Sequence, residues 1–108
     1  MSPYDPFGPL FSHFAATAHF AIEDYAKGAD CERRALRERP ALLPSRRMLA
    51  ACLVGLGQMA EARAIILDLL KLDPANSIKR DAYGYCVFAR AADQERYVAA
   101  LRKAGLPE

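Results

Sequence analysis

Apolar residues return at three- and four-residue steps along most of this chain, and prolines separate the stretches in which they do so. After Pro9, Leu10, Phe11, Phe14, Ala15, Ala18 and Ile22 mark one helical stripe. Tyr25, Ala29, Glu32, Ala35 and Leu36 mark a second, weaker stripe, and the break falls near Glu23-Asp24. Beyond Pro40 and Pro44, Leu49, Ala50, Leu53 and Leu56 form one face, and Ala62, Ile65, Ile66, Leu69, Leu70 and Leu72 form another. Gly57-Gln58 divides these two, Gly57 suiting the left-handed residue that closes a helix. Past Pro74, Ser77 can cap a short helix reaching about Tyr85, and Cys86 to Ala91 reads as a connection. A last helix carries its acids early (Asp93, Glu95) and its bases late (Arg102, Lys103), as the helix dipole prefers, before Gly105 and Pro107 stop it. No strand alternation competes with this pattern, so the expected class is all-α.

The pattern has a period. Pro40 and Pro74 stand 34 residues apart, and the same shift carries Ala15 to Leu49, Ala16 to Ala50, Phe20 to Val54, Tyr25 to Met59, Gly28 to Ala62 and Ala35 to Leu69. Small residues fall where two helices must approach closely, and proline falls where the second helix ends. These positions resemble the tetratricopeptide repeat (TPR), a helix–turn–helix unit of about 34 residues. Ala50, Gly57, Ala62 and Pro74 carry the likeness in the unit at 43–76. The unit at 9–42 departs from it: Glu23 replaces the turn glycine, Gly28 the packing alanine, and Glu32 an apolar residue. The resemblance implies a helical-hairpin solenoid in one domain, 1–108, with two TPR units and a capping segment over 77–105. A more polar last element is what a solenoid end requires, because nothing stacks beyond it.

A narrower likeness covers about Ser2 to Glu108. It rests on Pro44-Ser45-Arg46-Arg47-Met48-Leu49-Ala50-Ala51, on Leu56-Gly57-Gln58-Met59-Ala60-Glu61-Ala62-Arg63, and on Glu95-Arg96-Tyr97 through Leu101-Arg102-Lys103-Ala104-Gly105-Leu106-Pro107-Glu108. Together these resemble the C-terminal TPR tails of bacterial signalling proteins that carry a class III adenylate/guanylate cyclase or a winged-helix domain. The opening Ser2-Pro3-Tyr4-Asp5-Pro6 resembles the tail of a preceding repeat, so a fragment of a longer protein, or a short relic gene, is expected. The resemblance implies an interaction or oligomerisation module. No catalytic residue carries over, because the paired metal-binding aspartates of the cyclase have no counterpart.

Composition narrows the function without naming a partner. With 108 residues, 53% apolar and no Trp, the chain suits one globular domain with an Ala/Leu core. A net charge of +2 does not by itself imply nucleic acid, and no apolar run approaches the roughly 20 residues that cross a bilayer. Three cysteines (Cys31, Cys52, Cys86), an odd number without C-x-x-C spacing, read as free thiols in a reducing, cytoplasmic setting. His13 and His19 lie six apart and do not share a face as a metal pair would. Gly55-Leu56-Gly57 lacks the lysine and preceding strand of a phosphate loop. The expectation is therefore no enzyme, no catalytic or metal site and no cofactor.

Two surfaces remain as candidates. In the TPR family the first helix of each unit lines a concave groove, which by position implies Leu10, His13, Thr17 and Phe20, then Arg47, Ala51 and Val54, then Asp81 and Tyr85. His13 and Thr17 hold the places where chaperone-binding members carry a lysine and an asparagine for a peptide carboxylate, so that ligand is not implied. The second surface is basic: Arg33, Arg34, Arg37, Arg39, Arg46 and Arg47 against Glu38 put +5 on 33–47. It suits nucleic acid or an acidic ligand, or simply a solvated outer face, and no aromatic interleaves it to stack on a base. The partner expected first is a protein, a peptide or a second copy of the chain. A short solenoid leaves its first helix without a neighbour, which would leave Phe7, Phe11, Phe14 and Ile22 partly uncovered.

Overall fold

In the computed structural model, which describes residues 8–83 and 88–108, no strand occurs among the described residues. Among these residues five α-helices and one π turn run in order: α1 (Gly8–Ala21), α2 (Tyr25–Glu38), α3 (Leu43–Gly55), α4 (Met59–Leu72), the π turn (Ile78–Ala82) and α5 (Ala91–Ala104). Pro44 sits in the first turn of α3, where its missing N–H has no helical acceptor to lose. Asp24 opens α2 by accepting from Lys27 N, and Ser77 opens the π turn by accepting from Arg80 N.

The two hairpins α1–α2 and α3–α4 share their backbone detail at the 34-residue shift. Glu23 has φ +63° and Gly57 φ +78°, both in the left-handed region. Asp24 and Gln58 follow at φ/ψ −92°/71° and −91°/65°, and Arg39 and Asp73 end the second helices at −141°/83° and −144°/89°. Hydrogen bonds match as well. Asp24 N donates to His19 O and Gln58 N to Leu53 O, at 2.8 and 2.9 Å; Arg39 N donates to Ala35 O and Asp73 N to Leu69 O, both at 2.9 Å. Glutamate thus occupies the conformation that glycine takes in the second hairpin.

Helix α3 lies at the centre, packed against α1, α2, α4 and α5. Every residue from Arg47 to Leu53 is buried, as a helix surrounded on all sides must be. Alanines at 16, 29, 35, 50, 51 and 62 make the close approaches between helices. Gly28 has the same role by another route: a Cβ there would meet Cys52 Sγ at 2.8 Å, so the thiol fills the space of the packing methyl. The radius of gyration, 12.6 Å, is that of a single packed body of this length.

Helix α5 folds back over the C-terminal halves of α1 and α3. Phe20, Tyr25, Phe88 and Tyr97 pack edge-on or tilted with centroids 5.4–5.8 Å apart. Arg96 Nη2 donates to Phe20 O at 2.8 Å and to Ala21 O at 3.3 Å, while its guanidinium lies 4.9 Å from the Phe20 ring centre. A cation at the open carbonyls of α1 satisfies acceptors that the helix itself cannot. Gly105, at φ +101°, ends α5 and turns the chain so that Ile78 N donates to Pro107 O and Lys79 N to Glu108 O.

The expected short helix after Ser77 is a π turn over its first residues, with Tyr83 as its C-cap. Its expected end at Tyr85, and the start of the connection at Cys86, lie outside the described residues, as does Phe7.

Candidate functional site

The groove residues expected from the repeat register fall into two clefts, because α5 lies over one half of the inner face. Phe20, Ala51 and Val54 line a small cleft of about 190 Å³ together with Arg96, Ala99 and Lys103 of α5. Leu10, His13, Arg47 and Asp81 line a larger one of about 520 Å³, with Phe14, Leu43, Pro44, Asp73 and Arg80. Thr17 lines neither; its hydroxyl donates to His13 O at 3.1 Å. Tyr85 lies outside the described residues.

The larger cleft is lined by both apolar and charged side chains. Leu10 and Phe14 come from α1, one turn apart, and Leu43 and Pro44 from the first turn of α3. His13 sits between Leu10 and Phe14, and its Nδ1 lies 2.7 Å from Oε2 of Glu32, a fully buried residue of α2. Burial pushes the Glu32 carboxyl above its ordinary value, and the neighbouring His13 offsets part of the rise. Glu32 Oε1 and Ser45 Oγ are buried without a hydrogen bond. On the far side Arg80 is paired twice, with Asp73 and, at 2.9 Å, with Asp81, whose Oδ2 also accepts from Ser77 N at 2.8 Å. Arg47 is 3% exposed; its Nη1 reaches only the amide oxygen of Asn76, at 3.5 Å, and its buried Nε meets no acceptor.

His13 and Asp81 thus share a cleft, but His19 is not in it. A histidine held by a buried carboxylate is an arrangement that can orient a base. Among the described residues, none that lines this cleft carries a hydroxyl, a thiol or a lysine amine for it to activate. Cys52 is fully buried, and burial first, then the nearby charges of Glu32 and Cys31, lift its thiol to about 12, far from the reactive thiolate range. Cys31 is half-buried and Cys86 lies outside the described residues. Among the described residues no group of three histidine, cysteine or acidic side chains could hold a metal ion. No helix among them is long and apolar enough to cross a membrane.

The six arginines of 33–47 do not form one surface. Arg33, Arg37 and Arg46 border a shallow hollow between α2, α3 and α4, with Glu61 among them. Arg33 is spent on that glutamate at 3.0 Å and on Asp30 at 3.7 Å, and Arg46 donates to Pro40 O. Arg34, Arg37 and Arg39 are exposed. Arg47, expected in the patch as well as in the groove, is buried in the larger cleft. One step along a helix turns the side chain by about 100°, so Arg46 and Arg47 leave α3 on different sides.

The charged residues that organise the larger cleft, Glu32, Asp73 and Arg80, were not among the expected site residues. A signal existed for the first: Glu32 interrupts an otherwise apolar stripe, and a charge in such a place needs a partner.

Along the outside of α1 runs a third feature. Phe11, Phe14 and Ile22 are 54%, 61% and 72% exposed, and Ala15 and Ala18 are exposed between them. The opposite face of the helix buries Ala16 and Phe20.

Comparison with protein-family models, with curated proteins and with solved structures finds no match to this chain.

Proposed function

We propose that the protein is a non-catalytic interaction module, two TPR-like hairpins and a capping helix, that associates with a second copy of itself through α1. The observation that carries this reading is the uncovered apolar stripe of Phe11, Phe14, Ala15 and Ala18 on the first helix of the stack, continued by Ile22 just past its end. Within the stack α2 is covered by α3, whereas among the described residues nothing covers this stripe of α1, and a second copy of the chain is the neighbour proposed for it. The 34-residue recurrence of left-handed residue, helix start and helix end supports the repeat reading. The resemblance to C-terminal tails of bacterial cyclases and winged-helix regulators adds the expected setting, a cytoplasmic signalling protein in which such a module joins chains.

The alternative, binding of nucleic acid or an acidic ligand through Arg33–Arg47, has less support. Arg47 is withdrawn from that surface and Arg33 is engaged by two acids. It would show as a steep loss of affinity for DNA or RNA with rising salt.

Light scattering over a concentration series tests the first reading. The expected mass rises to that of a dimer for the unaltered chain and stays at one chain for Ile22→Glu, whose side chain is already 72% exposed and whose replacement leaves the fold intact. A single-chain mass for both at millimolar concentration would contradict it.

A further inference from the structure

Arg47 is the one charged group at the larger cleft whose environment does not balance. A guanidinium stays ionised at any pH a protein tolerates, and withdrawing it from water is costly unless an opposite charge and hydrogen-bond acceptors replace the water. Arg47 has neither in full. It forms no ion pair among the described residues, its Nε is buried without an acceptor, and the Asn76 oxygen at 3.5 Å is neutral and distant. The other charged groups have charged or ionisable partners: Arg80 pairs with Asp73 and Asp81, and one oxygen of Glu32 meets His13.

We propose that the cleft between the first turns of α1 and α3 is a binding site for a small carboxylic acid with an apolar stem, its carboxylate paired with Arg47. One unpaired cation calls for one negative charge. Asp73 and Asp81 in the same lining disfavour a dianion such as phosphate, which would meet two carboxylates for one free guanidinium. The stem lies on Leu10, Phe14, Leu43 and Pro44, the apolar part of the lining. A volume of about 520 Å³ falls in the range of small-molecule sites. This site shares Phe14 with the dimer surface proposed above, but its test reads ligand contact rather than mass and uses Leu10 and Arg47, which lie outside that surface, so either proposal can fail without the other.

The experiment is a titration of the isotope-labelled full chain, followed by NMR, with octanoate and phenylpropanoate as probes and with octanamide, phenylpropanamide and inorganic phosphate as controls. Saturable shifts at Leu10, Leu43 and Arg47 are expected with the two acids. The amides, which keep the stem and lose the charge, should bind at least about tenfold more weakly, the weight of a hydrogen bond to a charged group. Leu10→Ala should weaken the acids several-fold, and Arg47→Met should abolish the preference for acid over amide. Because the unliganded protein carries an uncompensated charge there, Arg47→Met should also melt at or above the temperature of the unaltered chain. Equal binding of acid and amide, tighter binding of phosphate, no saturable shift with either acid, or a marked drop in the melting temperature of Arg47→Met would each overturn the proposal.

Discussion

At the scale of single residues, two positions hold conformations or charges that their neighbours impose. Glu23 stands at φ +63°, where a side chain costs roughly 1–2 kcal/mol relative to its absence, while Gly57 takes the matching place in the second hairpin at no such cost. Glu23→Gly should therefore raise the unfolding free energy by about 1 kcal/mol in urea melts, despite the greater freedom that glycine gives the unfolded chain. Glu32 is the second position. Its carboxyl titrates above its ordinary value of 4.5 because burial disfavours the charged form. A raised carboxyl contributes stability that is complete below the ordinary value and is lost as pH rises through the folded value. Glu32→Gln mimics the protonated form and does not titrate. Its melting temperature should match that of the unaltered chain near pH 4 and exceed it by a margin that grows above pH 4.5. A margin constant from pH 4 to pH 7 would contradict the burial argument.

At the scale of elements, alanine contacts and one arginine hold the helices in register. Ala62 is fully buried in α4, so Ala62→Leu should overpack the hairpin and cost roughly 1–3 kcal/mol, read from chemical denaturation. Arg96 ties α5 to the last carbonyls of α1. Arg96→Ala should lower stability by roughly 1.5–3 kcal/mol, the weight of charge-assisted bonds, with faster amide exchange at the end of α1 as its local signature. The hairpins were legible along the chain because their signals are local. The stripes, the break at Glu23-Asp24, Gly57 and the prolines each act within a few residues of where they stand. The course of α5 was not legible. It depends on Arg96 finding carbonyls 76 and 75 residues away, and no periodicity records that. From this one gap followed the division of the expected groove. The fate of Arg47 was obscured for a related reason: α3 is buried on every side, so its sequence does not tell which neighbour each residue meets. The His13–Glu32 pair, 19 residues apart on two helices, was marked only by the oddity of a glutamate in an apolar stripe.

At the scale of the whole molecule, α3 is wrapped by α1, α2, α4 and α5, and the polar seams near it gather into a cleft, while the outer face of α1 keeps its phenylalanines and Ile22 in water. The last helix covers half of the inner face, and α1 with Ile22 just past its end exposes three large apolar side chains against two, Leu67 and Leu72, on α4. That contrast favours association through α1. The most direct measurement is an isotope-filtered NOE experiment on an equal mixture of labelled and unlabelled chains. Cross-chain contacts are expected from the Phe11 and Phe14 rings and the Ile22 methyls, and their loss is expected in Ile22→Glu. Cross-chain contacts confined to other faces, or none at a concentration where the unaltered chain is fully folded, would contradict it.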